Sequence, residues 1–280
     1  MMRKFELINR NGEKYELMQS SSGFFYSVSG LGYSNDTEYR QISDVYKMIE
    51  DHRSQDQIKG NVIFRQPNAQ QSYQNFVKFL QLKPLFLVYT PEGSSELYYR
   101  RGTVTDVSYS ESDCVRVSVT FTCWTPPFKY LNLVTSPNAS VTDGKIYNYA
   151  YDYTYRSTVA NTVEIDIDTA MDCPCKITAY GLLVNPVWNH YVDGVLVATG
   201  KVNTTIPSNR KLVIDTETIP YSIREYDMNN RLIADLYEQS DFSTERFFML
   251  KYGKNSIVVT DDDASTTTVI VEAQVMYASV

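Results

Sequence analysis

Histidine and cysteine are scarce in this chain, with two and four copies in 280 residues. A closed zinc site needs four closely spaced Cys or His ligands, and Cys173-Pro-Cys175 offers one close pair with no second cluster to complete it. A thioredoxin-type couple needs CxxC at a helix start, whereas a strand pattern follows here. Both cysteines therefore read as small hydrophobic residues at a strand entrance. His52 and His190 are far apart, and no GxSxG, P-loop, HExxH or GxGxxG motif accompanies them. They read as solvated or interface histidines. Asp261-Asp262-Asp263 lacks the alternating ligands and closing Glu of a calcium loop, and reads as a charged turn. No metal, cofactor or catalytic residue is expected.

A basic field is missing too. Residues 1–140 carry 15 Lys+Arg against 14 Asp+Glu, and residues 141–280 carry 11 against 19, which sum to the net charge of −7. Neither half is basic enough to hold a phosphate backbone, so direct nucleic-acid binding is not expected. No apolar run approaches the ~20 residues of a membrane span, and MMRKFELINRNGEKYEL has no apolar core of signal-peptide length. The expectation is a chain made in the cytosol with no membrane insertion, where reducing conditions leave no structural disulfide. Cys114 and Cys123 fall on opposite faces of one strand and should not pair.

Helix-forming runs of Ala, Leu, Glu and Lys are sparse, while tyrosine reaches 23 copies, which favours pleated sheets and partner interfaces. FELIN and RNGEKYEL read as strands around an Asn11-Gly12 turn. GFFYSVSGLGYSNDTEYRQ reads as an extended, aromatic arm. SDVYKMIEDHRSQ has Val45, Met48, Ile49 and His52 at helical spacing behind a Ser43 cap, so a helix is expected there. QQSYQNFVKFLQL carries the firmest helical stripe, stopped by Pro84. QIKGNVIF, LFLVYT, LYYRRGTVTDVSYS and CVRVSVTFTCW read as strands, the last ended by Trp124-Thr-Pro-Pro-Phe128.

NLVTSPNASVTDG reads as a linker. Beyond it lie strand signals: IYNYAYDYTYR, TVEIDI, KITAYGLLV, NHYV and GVLVA around Asp193-Gly194, KLVIDT, YSIREYD and RLIADLY around Asn229-Asn230, RFFMLKYG, SIVVT and TTVIVEAQVMY. Short strands with turn signals between them argue an antiparallel sandwich or jelly roll. The expected organisation is a mainly β chain, with a first domain over 1–135, a linker over 136–145 and a second domain over 146–280. Trp188 and Tyr191, beside His190, are candidates for an aromatic sugar platform; the alternative is that Trp188 packs in the core or at a domain interface.

Several of these pieces, in their order, resemble the distal tail protein family of long, non-contractile-tailed bacteriophages. They are Phe5-Glu-Leu-Ile-Asn9 with Gly12 and Tyr15-Glu-Leu17; Gly30-Leu-Gly-Tyr33 with Asp36 and Tyr39; Gln57-Ile-Lys-Gly60; Tyr73-Gln-Asn-Phe76; Tyr98-Tyr-Arg100; and Thr120-Phe121 with Thr125-Pro126. In the second half Pro174, Ile177, Gly181, Asn185-Pro186, Leu212–Thr216 and the Phe248–Ile257 run continue the likeness. The added proline in Trp124-Thr-Pro-Pro-Phe128 departs from the family's pattern.

The resemblance implies a first domain like a β-barrel or sandwich with one α-helix, closing into a homohexameric ring, and a galectin-like β-sandwich as second domain. It implies a structural, non-enzymatic hub at the tail tip of the virion, assembled in the host cytoplasm, through which DNA passes without specific contacts. The implied partners are the tail tube protein, the tape-measure protein and a tail-tip lysin, fibre or receptor-binding protein. Phe24, Phe25, Tyr26, Leu31, Tyr33 and Tyr39 are the candidate residues of an arm lying across a neighbouring subunit. A lectin-like host-surface binder is the alternative, and a glycan-cleaving enzyme, which needs two carboxylates ~5–10 Å apart in a cleft, is the third.

Overall fold

The chain is mostly antiparallel β-strand, with one α-helix among the residues that its computed structural model describes: 3–19, 23–111, 114–134, 161–263 and 267–280. The expected linker 136–145 and the tyrosine-rich run IYNYAYDYTYR lie outside the described residues. Two compact units form, one from Met1–Lys129 with Met276–Val280, the other from Tyr130–Val275.

In the first unit, strand Lys4–Ile8 pairs on one side with Lys14–Glu16 and on the other with Leu85–Thr90. The ladder continues through Tyr98–Glu111, Val115–Cys123, Gln57–Phe64 and Gly23–Ser29 to Met18–Gln19. Leu17 closes it: its amide donates to the Phe5 carbonyl at 3.0 Å and its carbonyl accepts from Phe25 at 2.7 Å. A sheet closed this way leaves few orphaned edge groups. The strand Val115–Cys123 follows its sequence pattern, burying Val115, Val117, Val119 and Phe121 while Arg116 and Ser118 face outward. The helix Ala69–Leu80 covers the core with Phe76 and Leu80, and Phe76 meets Phe64 at 5.6 Å between ring centres.

The chain returns to this unit after the second: Tyr277 donates its amide to Pro127 at 2.8 Å and its ring meets Tyr98 edge-on at 5.7 Å. Cys123, Cys173 and Cys175 are buried, and Cys173 Sγ donates to the Met171 carbonyl at 3.3 Å. Burial pushes the Cys175 thiol up to about 12, against a hydrogen bond from Thr216 that pulls it down. Such a thiol is an inert hydrophobe.

The second unit is a two-layer sandwich. One layer orders Leu232–Asp235, Ser222–Asp227, Arg210–Asp215, Cys175–Tyr180 and Val269–Met276; the other orders Asn161–Ile167, Gly253–Thr260, Val187–Val192 and Val195–Lys201. Strands of both layers present alternate apolar residues inward, among them Val163, Ile165, Ile257 and Val259 from one layer and Ile177, Leu212, Ile214 and Val271 from the other.

Three expectations are corrected here. SDVYKMIEDHRSQ is not helical: Val45–Arg53 is a strand paired with Asn35–Ile42. A bulge leaves Ile49 opposite no partner, and that extra residue brought Met48 and Ile49 into a helix-like spacing. RFFMLKYG is not a regular strand. From Arg246 to Tyr252 it keeps one bridge, Leu250 to Cys173, and only Gly253 enters the strand Gly253–Thr260. The run NLVTSPNASVTDG is not linker from its start: the strand Phe128–Val134 takes in Asn132, Leu133 and Val134 and ends before the expected linker 136–145.

Gly200 sits directly across the ladder from Trp188, and a Cβ there would lie 2.2 Å from the indole. Gly200→Ala is expected to cost about 1–3 kcal/mol through overpacking, seen as a lower unfolding midpoint for the full chain. A second prediction concerns pH. Burial pushes the half-buried Glu217 carboxyl from its ordinary 4.5 up to about 7; Lys176 opposes the shift while Asp215 and Glu272 add to it. Between those values the folded chain holds a proton that the unfolded chain has released, so this group makes stability fall as pH rises from about 4.5 to about 7. Glu217→Gln should flatten that slope in urea unfolding at a series of pH values.

Candidate assembly surface

Among the described residues the strands Asn35–Ile42 and Val45–Arg53 pair only with each other, as a two-residue hairpin through Ser43-Asp44. Ser43 adopts φ +57°, the positive value that primed hairpin turns require at their first position. Cross-strand partners point to one side, so Tyr39 with Met48 and Gln41 with Tyr46 share a face. Arg40 with Lys47 and Ile42 with Val45 share the other.

No residue from Asn35 to His52 is buried. Tyr39, Ile42, Val45, Tyr46, Met48 and Ile49 are each between 49% and 69% exposed. An isolated two-stranded hairpin is marginal in water, and this one displays apolar side chains on both faces. Its polar links are modest: Thr37 Oγ1 donates to Asp51 Oδ1 at 2.7 Å, and Asn35 Nδ2 to Asp51 Oδ2 at 3.2 Å. Glu38 stands opposite Glu50, a like-charge pair that costs stability. His52 Nε2 lies 3.4 Å from Glu50 Oε2 on the same strand, while the apolar side chains stay uncovered, which makes the hairpin a candidate partner surface.

Its root, by contrast, is fixed. The buried Asp56 carboxylate accepts from Arg53 Nη2 at 2.6 Å and from Arg100 Nη1 at 2.9 Å. Arg100 is itself buried and donates through Nη2 to the Leu31 carbonyl at 2.5 Å. Arg53 also donates to the Ala278 carbonyl at 2.8 Å and lies 5.7 Å from the Tyr33 ring centre. Gly30 is required just before: at φ +84° it passes so close to the Gln57 carbonyl oxygen that a Cβ would sit 1.9 Å from it.

The candidate arm residues divide between these environments. Tyr39 is on the hairpin and Tyr33 at its root, both exposed. Leu31 is half-buried against the core. Phe24 and Tyr26 are half-buried, stacked on each other at 6.5 Å along the strand Gly23–Ser29. Phe25 points the other way, is 4% exposed and meets Phe5 edge-on at 5.3 Å. Its place among the arm residues is corrected: alternation along a strand turns every second side chain into the barrel. Sequence reasoning missed Ile42, Val45, Tyr46, Met48 and Ile49, although the alternation of Thr37, Tyr39 and Gln41 before a Ser-Asp turn carries the signal.

The sugar platform is corrected as well. Trp188 is fully buried, its indole nitrogen donating to the Arg246 carbonyl at 2.9 Å, and Tyr191 is half-buried. A covered indole has no face to offer a sugar. His190 is buried rather than solvated, bonded through Nε2 to Asn255 Oδ1 at 2.9 Å and stacked on Phe248 at 4.2 Å. Burial holds its pKa below the usual histidine value, against the Asn255 bond, so the ring is neutral at pH 7. Among the described residues no group of three or more His, Cys, Asp or Glu is arranged to hold a metal ion.

Residues 4–124 match the model of the distal tail protein, N-terminal domain. The fold is similar to that of a chain in the phage P2 baseplate in its activated conformation with calcium, at 16% identity and TM-score 0.68, covering 100% of both chains. It is also similar to the SPP1 Dit (gp 19.1) protein, described as a hub of the adsorption apparatus in phages infecting Gram-positive hosts, at 12% identity and TM-score 0.60, covering 96% of this chain and 98% of that one. No curated protein sequence matches the chain. Residues 4–124 of this chain thus form a distal tail protein N-terminal domain.

Proposed function

We propose that the chain is the hub of a siphovirus-type tail tip, a homohexameric ring joining the tail tube to the host-adhesion apparatus. The observation that carries this reading is the exposed hairpin Asn35–Arg53 on its rigid, ion-paired root. A ring closed by rotation needs a head-to-tail contact in which each subunit offers one surface and accepts another. A projecting hairpin with apolar residues on both faces is suited to the offering role, laying Tyr39, Tyr46 and Met48 across the next subunit's barrel. Tyr33 extends that contact at the root. The ring continues the tail-tube channel, and DNA passes through it without sequence-specific contacts.

The first domain, up to about residue 135, forms this ring. The second, from about residue 146, is a galectin-like sandwich that serves as a docking platform for a receptor-binding, fibre or lysin protein of the tail tip. The tail tube and tape-measure proteins are the partners at the ring itself. The chain performs no chemistry in this role. The full-length fold shared with the SPP1 hub protein and the phage P2 baseplate chain supports the reading.

Light scattering on the purified chain is expected to give a mass of about six subunits; a strict monomer over a wide concentration range would sink the proposal. Replacing Tyr39, Tyr46 and Met48 together by Ser should shift the chain to monomer with its circular dichroism unchanged. Asp56→Asn leaves the buried Arg100 guanidinium without its carboxylate, a change that costs about 3–5 kcal/mol where a buried pair is broken. It should lower the unfolding midpoint and speed tryptic cleavage at Arg40 and Lys47, read by mass spectrometry.

A further inference from the structure

The second unit holds a cleft of about 730 Å³ lined by Tyr221, Tyr237 and Phe247 together with Arg224, Asp235 and Glu238. It lies beside the outermost strand of its sheet, Leu232–Asp235, where the chain turns through the short 3-10 segment Tyr237–Gln239. We infer that this cleft is a saccharide-binding site, taking a short stretch of pyranose chain.

The rings are held in place before any ligand arrives. Tyr237 and Phe247 lie nearly parallel, 17° apart with centres 6.2 Å apart, and Tyr221 meets Phe247 at 5.5 Å. Arg246 locks them from outside the cleft wall. Its Nη2 donates to the Tyr237 hydroxyl at 2.9 Å, and its guanidinium lies 4.9 Å from the Tyr237 ring centre and 4.2 Å from that of Phe242. The Arg246 carbonyl in turn accepts from Trp188. The buried Trp188 indole thus ties the aromatic wall to the core.

Polar groups stand among the rings. Asp235 accepts the Tyr237 amide with Oδ1 at 3.0 Å, and its Oδ2 faces Arg224 Nε at 3.5 Å across the ladder. More than half of the Asp235 side chain remains exposed. A carboxylate and a guanidinium side by side offer an acceptor next to donors, the pattern that adjacent sugar hydroxyls answer. The rings supply flat apolar surface for the C–H faces of a pyranose. Other ligand classes fit less well: the acidic second half repels a phosphate backbone, and charged groups inside the cleft disfavour a lipid chain. Rigid aromatic walls also reduce the ordering cost that weakens binding of flexible ligands.

The inference is independent of the ring reading. Its test is saturation-transfer NMR on the full chain with four probes: cellotetraose, maltotetraose, chitotetraose and a rhamnose tetrasaccharide. At least one should receive saturation from the protein's aromatic protons at its ring C–H positions. Tyr237→Ala and Asp235→Asn should each weaken that probe's binding about tenfold or more, while Tyr237→Phe, which keeps the ring, stays within about threefold of the parent. No transfer to any of the four would overturn the inference. So would unchanged binding in Tyr237→Ala, or a proline-rich peptide occupying the cleft when no saccharide does. Light scattering on the same samples separates the two readings, because loss of these contacts leaves the oligomer intact.

Discussion

One carboxylate ties together the parts of the first unit that converge at the root of the exposed hairpin. Asp56 sits between Arg53 and Arg100, and neither Asp56 nor Arg100 has water to fall back on. Two guanidiniums on one carboxylate leave a surplus positive charge, which the Leu31 and Ala278 carbonyls help to offset by accepting the remaining N–H groups. The strand leading into the hairpin, the hairpin's exit, the central strand Tyr98–Glu111 and the returning residues 276–280 thus meet at one point. A buried ion pair seldom adds much net stability over an apolar substitute. Its value here is directional, since apolar packing would let the hairpin swing, whereas a charge-assisted pair fixes where it leaves the barrel.

That contrast between a rigid root and an unsupported tip also explains what could be read from sequence. The strand Val115–Cys123 and the helix Ala69–Leu80 were legible because each buries one face, and burial writes a period into the residues. The turns at Asn11-Gly12 and Asp193-Gly194 were legible because positive φ narrows the residue choice; Gly12, Asp193 and Gly194 all adopt it. The hairpin Asn35–Arg53 was only half legible. With neither face buried, no period is imposed, and the bulge at Ile49 added a false helical one.

The second unit failed to disclose its aromatic wall for a different reason. The segment from Asp241 to Met249 has almost no ladder bonds of its own, so neither a period of 2 nor one of 3.6 marks it. Its shape comes from contacts between residues far apart in sequence: Trp188 with Arg246, His190 with Phe248, Tyr221 with Phe247. Trp188 and His190 drew notice as scarce residues, and both proved to be supports behind the surface.

The five residues Met276–Val280 belong to the first unit although the whole second unit separates them from it. During synthesis the ribosome must therefore deliver the entire sandwich before Tyr277 can reach Pro127 or the Ala278 carbonyl can receive Arg53. Domains generally fold as they emerge, but this barrel lacks its last support until translation has passed residue 276. The hairpin's root therefore matures last, after the whole sandwich between has been made.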